Sequence, residues 1–171
     1  MSPKTNLDIV FGAMTFGKEG EEQVRTSSLQ TCASILSTYQ SHGGSEIDTS
    51  RFYGNGTSET HLAALNWDSL GFTLATKFYP NTAGLMGRPA THLTRDDMRA
   101  AISESLHALG DVEKVDLWYL HAPDRSVPLE ETLAVVDELY REGKFNRWGV
   151  SNYMAWEVSA IWDIQCVASD D

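Results

Sequence analysis

Four residues of this 171-residue chain have types and positions that suit one another chemically: Asp48, Tyr53, Lys77 and His121. A tyrosine hydroxyl, with an ordinary pKa of about 10, is a weak proton donor at neutral pH unless a neighbour shifts it; an adjacent ammonium group does so by stabilising the phenolate. Lys77 is the residue placed to supply that shift. Asp48 would hold Lys77 charged and oriented through an ion pair, and His121 would hydrogen-bond a substrate oxygen. Such a set can polarise and protonate a carbonyl while it accepts hydride. Taken singly, each of these residues is a common loop anchor, helix cap or solvated charge, so the inference rests on the ordered set.

Meeting in space requires a scaffold that brings distant positions together. The apolar run Ile9 to Met14 reads as a first strand, and Ser27 to Gln40 as a helix with Leu29, Cys32, Ile35, Leu36 and Tyr39 on one face, stopped by Gly43-Gly44. Ser45 to Asp48 is a short extended piece, followed by a loop with an Asn55-Gly56 turn and a helix from about Ser58 to Asn66. Phe72 to Thr76 is the third strand. Thr94 with Asp97 forms a capping-box signature for a helix whose face is Met98, Ile102, Leu106 and Leu109. Val115 to Leu120 is a nearly continuous apolar strand, Pro128 opens a helix closed by Gly143, and a strand around Trp148 to Val150 precedes a last helix from about Tyr153.

This alternation predicts about five parallel strands with intervening helices in one domain over residues 1–171, as either a doubly wound sheet or part of a (β/α)8 TIM barrel. In a barrel the C-terminal strand ends converge, and Asp48, Lys77 and His121 end the second, third and fourth strands, with Tyr53 in the loop after the second. Trp118, Trp148, Trp156 and Trp162 are expected in the core. Arg51 is expected either to touch substrate or to face water. Gly54-Asn55-Gly56 reads as a turn, since no Walker lysine or Rossmann fingerprint accompanies it.

Thirteen basic against 24 acidic residues give a formal charge of −11, which argues against nucleic acid and anionic membranes as partners. No run approaches the roughly 18 to 20 apolar residues of a membrane span, and the N-terminus lacks a signal-peptide pattern. Cys32 and Cys166 are far apart, which suits a reducing compartment. The expectation is a cytoplasmic protein. The histidines show no metal-ligand spacing, so no metal is expected.

The strings GAMTFG at 12–17, EIDTSRFYGNGTSE at 46–59, ATKFYP at 75–80, VDLWYLHAPD at 115–124 and EGKFNRWGVSNY at 142–153 resemble the aldo-keto reductase family, most closely its aflatoxin-aldehyde reductase branch. The resemblance spans about residues 8 to 164. It implies Tyr53 as proton donor, Asp48 and Lys77 as its tuning pair and His121 as the substrate-orienting residue. By the same resemblance Ser151 and Asn152 contact the nicotinamide carboxamide, Asp48 also lies at the cofactor, and Met14 and Thr15 approach the nicotinamide. The implied cofactor is NADPH, the partner a small-molecule carbonyl substrate.

A complete barrel takes about 250 residues. The tail 165–171, QCVASDD, reads as divergent and as a truncation or altered junction, and its pattern predicts no helix. An open barrel exposes strand edges, so either self-association or poor stability is expected. Three functions follow: NADPH-dependent reduction of an aldehyde or ketone, within secondary metabolism as in some similar fungal proteins; a weak or inactive remnant acting through protein association; and cofactor-free acid-base chemistry by Tyr53, Lys77 and His121.

Overall fold

Short apolar runs punctuated by glycine become strands, and the longer amphipathic stretches between them become helices. The computed structural model describes residues 7–168; residues 1–6, the tail residues 169–171 and the side chains of Met86, Cys166, Val167 and Ala168 lie outside the described residues. In chain order the elements are β1 (Val10–Gly12), α1 (Leu29–Ser41), β2 (Glu46–Asp48), α2 (Thr57–Ala64), β3 (Thr73–Phe78), α3 (Arg95–Ala108), β4 (Val115–Leu120), α4 (Leu129–Arg141), β5 (Phe145–Val150) and α5 (Ala155–Ala168). Single 3-10 turns occupy Tyr53–Gly56 and Leu85–Gly87.

The strands form one sheet in the order β1-β2-β3-β4-β5, and every neighbouring pair is parallel. A doubly wound sheet reverses its strand order at a switch point. Here the order follows the chain without reversal, which is the wall of a (β/α)8 barrel, and five strands are part of one. The register aligns Gly12, Asp48, Ala75, Leu117 and Arg147 in one row across the wall, with Lys77, Tyr119 and Gly149 forming the next row toward the strand ends.

Residues out of phase with those rows carry the core. Ile47, Leu74, Trp118 and Leu120 join Leu36, Met98, Ile102, Val136 and Leu139 from the helices in one cluster. Burying each large apolar side chain there contributes about 1.5–3 kcal/mol. Tyr39 of α1 ties the strand starts together, with its hydroxyl 2.5 Å from the Ile9 carbonyl and 2.9 Å from the Glu46 carbonyl. Gly44 is required beside it, since a Cβ there would sit 2.1 Å from the Tyr39 ring.

Helix starts follow local chemistry. Ser28 caps α1 by accepting the Thr31 N–H, and Pro128 precedes α4, where a missing N–H costs nothing. The expected capping box at α3 is corrected: Thr94 sits at the N-cap without a side-chain cap bond, and Asp97 reaches further upstream to accept the His92 N–H at 2.7 Å. The short aspartate carboxylate is taken by the loop that leads into the helix.

Two other expectations change. Trp118 is buried and Trp148 packs against the core, but Trp156 and Trp162 are 66% and 69% exposed, because no layer lies over their side of α5. The helix α5 also continues to Ala168, through residues 165–168 of the tail whose pattern predicts no helix. Among the described residues no helix is long and apolar enough to cross a membrane.

Candidate active site

The loop after β2 is built from the inside. Thr49 and Ser58 are fully buried and share a hydrogen bond of 2.8 Å, and Ser58 donates to the Ala13 carbonyl at 2.8 Å, joining the ends of β1 and β2 to the start of α2. Gly54, Asn55 and Gly56 then take left-handed φ angles of 52°, 56° and 85°. Glycine and asparagine adopt this region most readily. The reversal starts at Tyr53, whose N–H donates to the Ser50 carbonyl at 3.0 Å, and it holds the tyrosine beside β3.

The structure brings Asp48, Tyr53, Lys77 and His121 together at the C-terminal ends of β2, β3 and β4. The Lys77 Nζ donates to Asp48 Oδ2 at 2.5 Å, to the Thr49 carbonyl at 2.8 Å and to the Tyr53 hydroxyl at 3.3 Å. The lysine side chain is 8% exposed, so the pair with Asp48 forms in a largely desolvated setting where both attraction and desolvation are large. His121 follows β4 and donates its backbone N–H to the Phe78 carbonyl at 2.9 Å. Its ring meets the Tyr53 ring edge-on, with centroids 5.6 Å apart at 88°.

The electrostatics depart from the sequence-based expectation at Tyr53. Burial, followed by the negative charge of Asp48, pushes its hydroxyl up to about 12, so the lysine does not lower it here. The reason is that Lys77 is already paired with Asp48, and the pair presents little net positive charge to the phenol. Burial lowers the Lys77 ammonium, with Asp48 opposing that shift. Burial, then the Lys77 charge, brings His121 down to about 4, so its imidazole is neutral at pH 7. The site at rest thus offers a protonated phenol, a paired ammonium and a neutral imidazole.

The remaining sequence-predicted site residues lie on the flanking strands. Met14 and Thr15 follow β1; Met14 is 41% exposed and Thr15 half-buried. Ser151 and Asn152 follow β5, where Ser151 donates its backbone N–H to the Leu120 carbonyl at 2.9 Å. Asn152 has a left-handed φ of 62°, and its amide nitrogen donates to the His121 carbonyl at 2.8 Å and to Ser151 Oγ at 3.2 Å.

Arg51, expected either to touch substrate or to face water, is half-buried and paired with Glu59. Its Nη1 lies 3.3 Å from Glu59 Oε2 and donates to the Gly56 carbonyl at 3.2 Å. Glu59 is fully buried, and its other oxygen accepts the Thr76 hydroxyl at 2.6 Å. Burial raises the Glu59 carboxyl, against the Thr76 bond and the Arg51 charge. Sequence reasoning also missed Ser50, whose Oγ lies 3.2 Å from His121 Nδ1. It missed the wall made by Phe52 and Tyr79, whose centroids are 4.6 Å apart and whose rings both meet His121 edge-on. Neither Glu59 nor Ser50 carries a local signal of burial in the sequence.

A parallel (β/α) wall with a polar cluster at its C-terminal mouth defines the class of barrel enzymes whose sites are built from strand-end loops. The sequence profile of the Aldo/keto reductase family matches residues 8–169, and the chain belongs to that family. The match runs past residue 164, where the sequence reading ended the resemblance. "Aldo-keto reductase pigE" of Monascus ruber is 42% identical over 167 residues, covering 96% of this chain and 48% of that protein. "Aflatoxin B1 aldehyde reductase member 4" of Homo sapiens is 38% identical over 152 residues, covering 89% of this chain and 43% of that one. An aldo-keto reductase from Klebsiella pneumoniae solved in complex with NADPH superposes with a TM-score of 0.73 at 27% identity, over 91% of this chain and 49% of that chain. The chain spans about half the length of the curated relatives it matches.

Proposed function

We propose that the site reduces an aldehyde or ketone to an alcohol with NADPH, in the cytoplasm and within secondary metabolism. The observation that carries this reading is the contact of one lysine Nζ with Asp48 at 2.5 Å and with the Tyr53 hydroxyl at 3.3 Å, beside the His121 ring. In this reading Tyr53 gives its proton to the substrate oxygen. Lys77 stabilises the phenolate left behind, Asp48 keeps the lysine charged, and His121 orients the oxygen by a hydrogen bond. A Tyr53 pKa near 12 fits a donor that stays protonated until substrate arrives.

The polar groups after β5 fit a nicotinamide carboxamide. A primary amide needs one donor and one acceptor. The Ser151 hydroxyl supplies the first and the Asn152 side-chain oxygen the second, since the Asn152 amide nitrogen is engaged with His121 and Ser151. Met14, Thr15 and Asp48 complete the rim at the nicotinamide. When bound, NADPH supplies the hydride.

The test is carbonyl-dependent NADPH oxidation by this chain. Tyr53→Phe is expected to lower it about 10²- to 10⁴-fold, the range for a positioned general acid. Undiminished activity in that variant would remove Tyr53 from the mechanism. A second reading, a weak or inactive form that acts through protein association, including self-association at β1 and β5, is supported by those two strands, each of which has a strand neighbour on one edge only among the described residues. Titrating NADPH and following its fluorescence separates the two. Saturation at micromolar concentration favours the reductase; its absence, with a dimer in sedimentation, favours association.

A further inference from the structure

Ser50 is fully buried, and its Oγ has three neighbours: the Lys77 carbonyl at 3.2 Å, His121 Nδ1 at 3.2 Å and the Phe52 N–H at 3.1 Å. A serine hydroxyl has one proton to give and two lone pairs to receive with. Phe52 occupies one lone pair. The proton then goes to the Lys77 carbonyl or to His121 Nδ1, and the imidazole's own proton must take the complementary position.

The two choices are not equivalent. With the serine proton on His121 Nδ1, the Lys77 carbonyl loses this bond and the second serine lone pair stays empty. With the serine proton on the Lys77 carbonyl, Nδ1 carries the ring proton and donates it to that lone pair. Only the second choice satisfies the carbonyl, the amide, the hydroxyl and the ring nitrogen together, and leaving a buried polar group unsatisfied is the costlier outcome.

We propose that Ser50 is a positioning residue that fixes His121 as its Nδ1–H tautomer in the resting protein, leaving Nε2 as a hydrogen-bond acceptor. The ring is neutral at pH 7, so a choice of tautomer exists to be made. An acceptor at Nε2 matches a substrate hydroxyl, as in an alcohol or a hydrated aldehyde. A bare carbonyl needs a donor there, and binding one requires the ring proton at Nε2 and the Ser50 hydroxyl turned onto Nδ1. The serine therefore couples the hydrogen bonding of the strand end to which oxygen species the mouth receives at rest. This consequence rests on the proposed role of His121 toward substrate; the tautomer does not.

The experiment is a long-range ¹H–¹⁵N correlation on the full chain with ¹⁵N-labelled histidine at neutral pH. His121 is assigned by the signals lost in His121→Asn, and those of His42, His61, His92 and His107 report whether each variant is folded. Expected for the parent is a protonated Nδ1 and a bare Nε2. Imidazole in water favours the opposite tautomer, so Ser50→Ala is expected to move His121 to Nε2–H, while Ser50→Thr, which keeps a hydroxyl, retains Nδ1–H. A parent protein with its proton on Nε2 would overturn the proposal, and so would a folded Ser50→Ala protein whose His121 keeps Nδ1–H. Neither cofactor nor turnover enters the measurement, so a chain without reductase activity still answers the question, and an active chain with the wrong tautomer sinks this inference alone.

Discussion

The two sides of the mouth are built differently. On the β2–β4 side, Thr49, Ser50, Ser58, Glu59 and Thr76 are fully buried and bonded to one another, to the strand ends or to Arg51 and His121. On the other side, Met14 and Asn152 are exposed, and they follow β1 and β5, the two strands with a neighbour on one edge only. Asp48, Tyr53, Lys77 and His121 are thus held by a network that strands two to four and the start of α2 make, with one bond from Ser58 to the Ala13 carbonyl after β1. The residues assigned to the nicotinamide stand where the wall is open. The proposed proton transfer and the proposed cofactor contacts consequently rest on different parts of the wall.

The sharpest way to break this contrast is to empty its buried side. Glu59→Ala leaves the Thr76 hydroxyl and the Arg51 guanidinium without their carboxylate and opens a cavity beneath the loop. A loss of about 3 kcal/mol in unfolding free energy is expected from urea titration. Glu59→Gln keeps an acceptor for Thr76 and removes a buried charge, so its loss should be much smaller. If Glu59→Ala stayed within about 0.5 kcal/mol of the parent, the network would not be what holds the loop.

A smaller effect comes from His121. Its folded pKa, about 4, lies below the ordinary value of 6.5. Between those values the unfolded chain binds the proton and the folded one does not, so stability is fully present above 6.5 and declines as the pH falls toward 4. For this partly exposed ring the decline is about 2 kcal/mol once solvent screening is allowed for. Comparing urea midpoints at the two ends of the window in the parent and in His121→Asn isolates it, because carboxylate titration is common to both proteins. Equal slopes would show that the histidine is not desolvated as its position implies.

Asp48→Asn tests the middle of the cluster. Lys77 is already lowered by burial, and Asp48 is the group that opposes this. Removing the carboxylate charge is expected to lower the lysine further. The readout is the pH titration of the ¹³C-dimethylated Lys77 resonance, and an unmoved titration would mean that the ion pair does not govern the lysine's charge.

What was legible in the sequence follows from these differences. Asp48, Lys77 and His121 could be placed because alternating strands and helices fix where strand ends fall, and parallel order brings those ends together. Glu59 and Ser50 could not, since nothing local to a polar loop distinguishes a buried serine or glutamate from a solvated one. The Arg51 ion pair was not legible for the same reason: its partner lies inside the fold. Trp156 and Trp162 failed in the opposite direction, because an aromatic residue is buried only if another layer covers it. Thr94 and Asp97 marked the start of α3 correctly while the bond itself went to His92. The Tyr53 shift was missed although the Lys77–Asp48 pair was expected, because the burial of the hydroxyl, the larger cause, cannot be read from a loop sequence.

The smallest expected effect lies on the open side, at Asn152, and it separates conformation from contact. The left-handed φ of 62° suits asparagine and glycine but costs most other residues about 1 kcal/mol, and the side chain adds bonds to the His121 carbonyl and to Ser151 Oγ. Asn152→Gly loses only these exposed bonds and should change stability by less than about 0.5 kcal/mol, whereas Asn152→Ala adds the backbone strain and should lose about 1 kcal/mol more. Both variants remove the proposed carboxamide acceptor, so their NADPH affinities should fall together even though their stabilities differ. If affinity followed stability instead, with glycine binding like the parent, Asn152 would matter for the shape of the β5 end and not for holding the cofactor. The proton side would then be the only part of the mouth with residues that both build it and act in it.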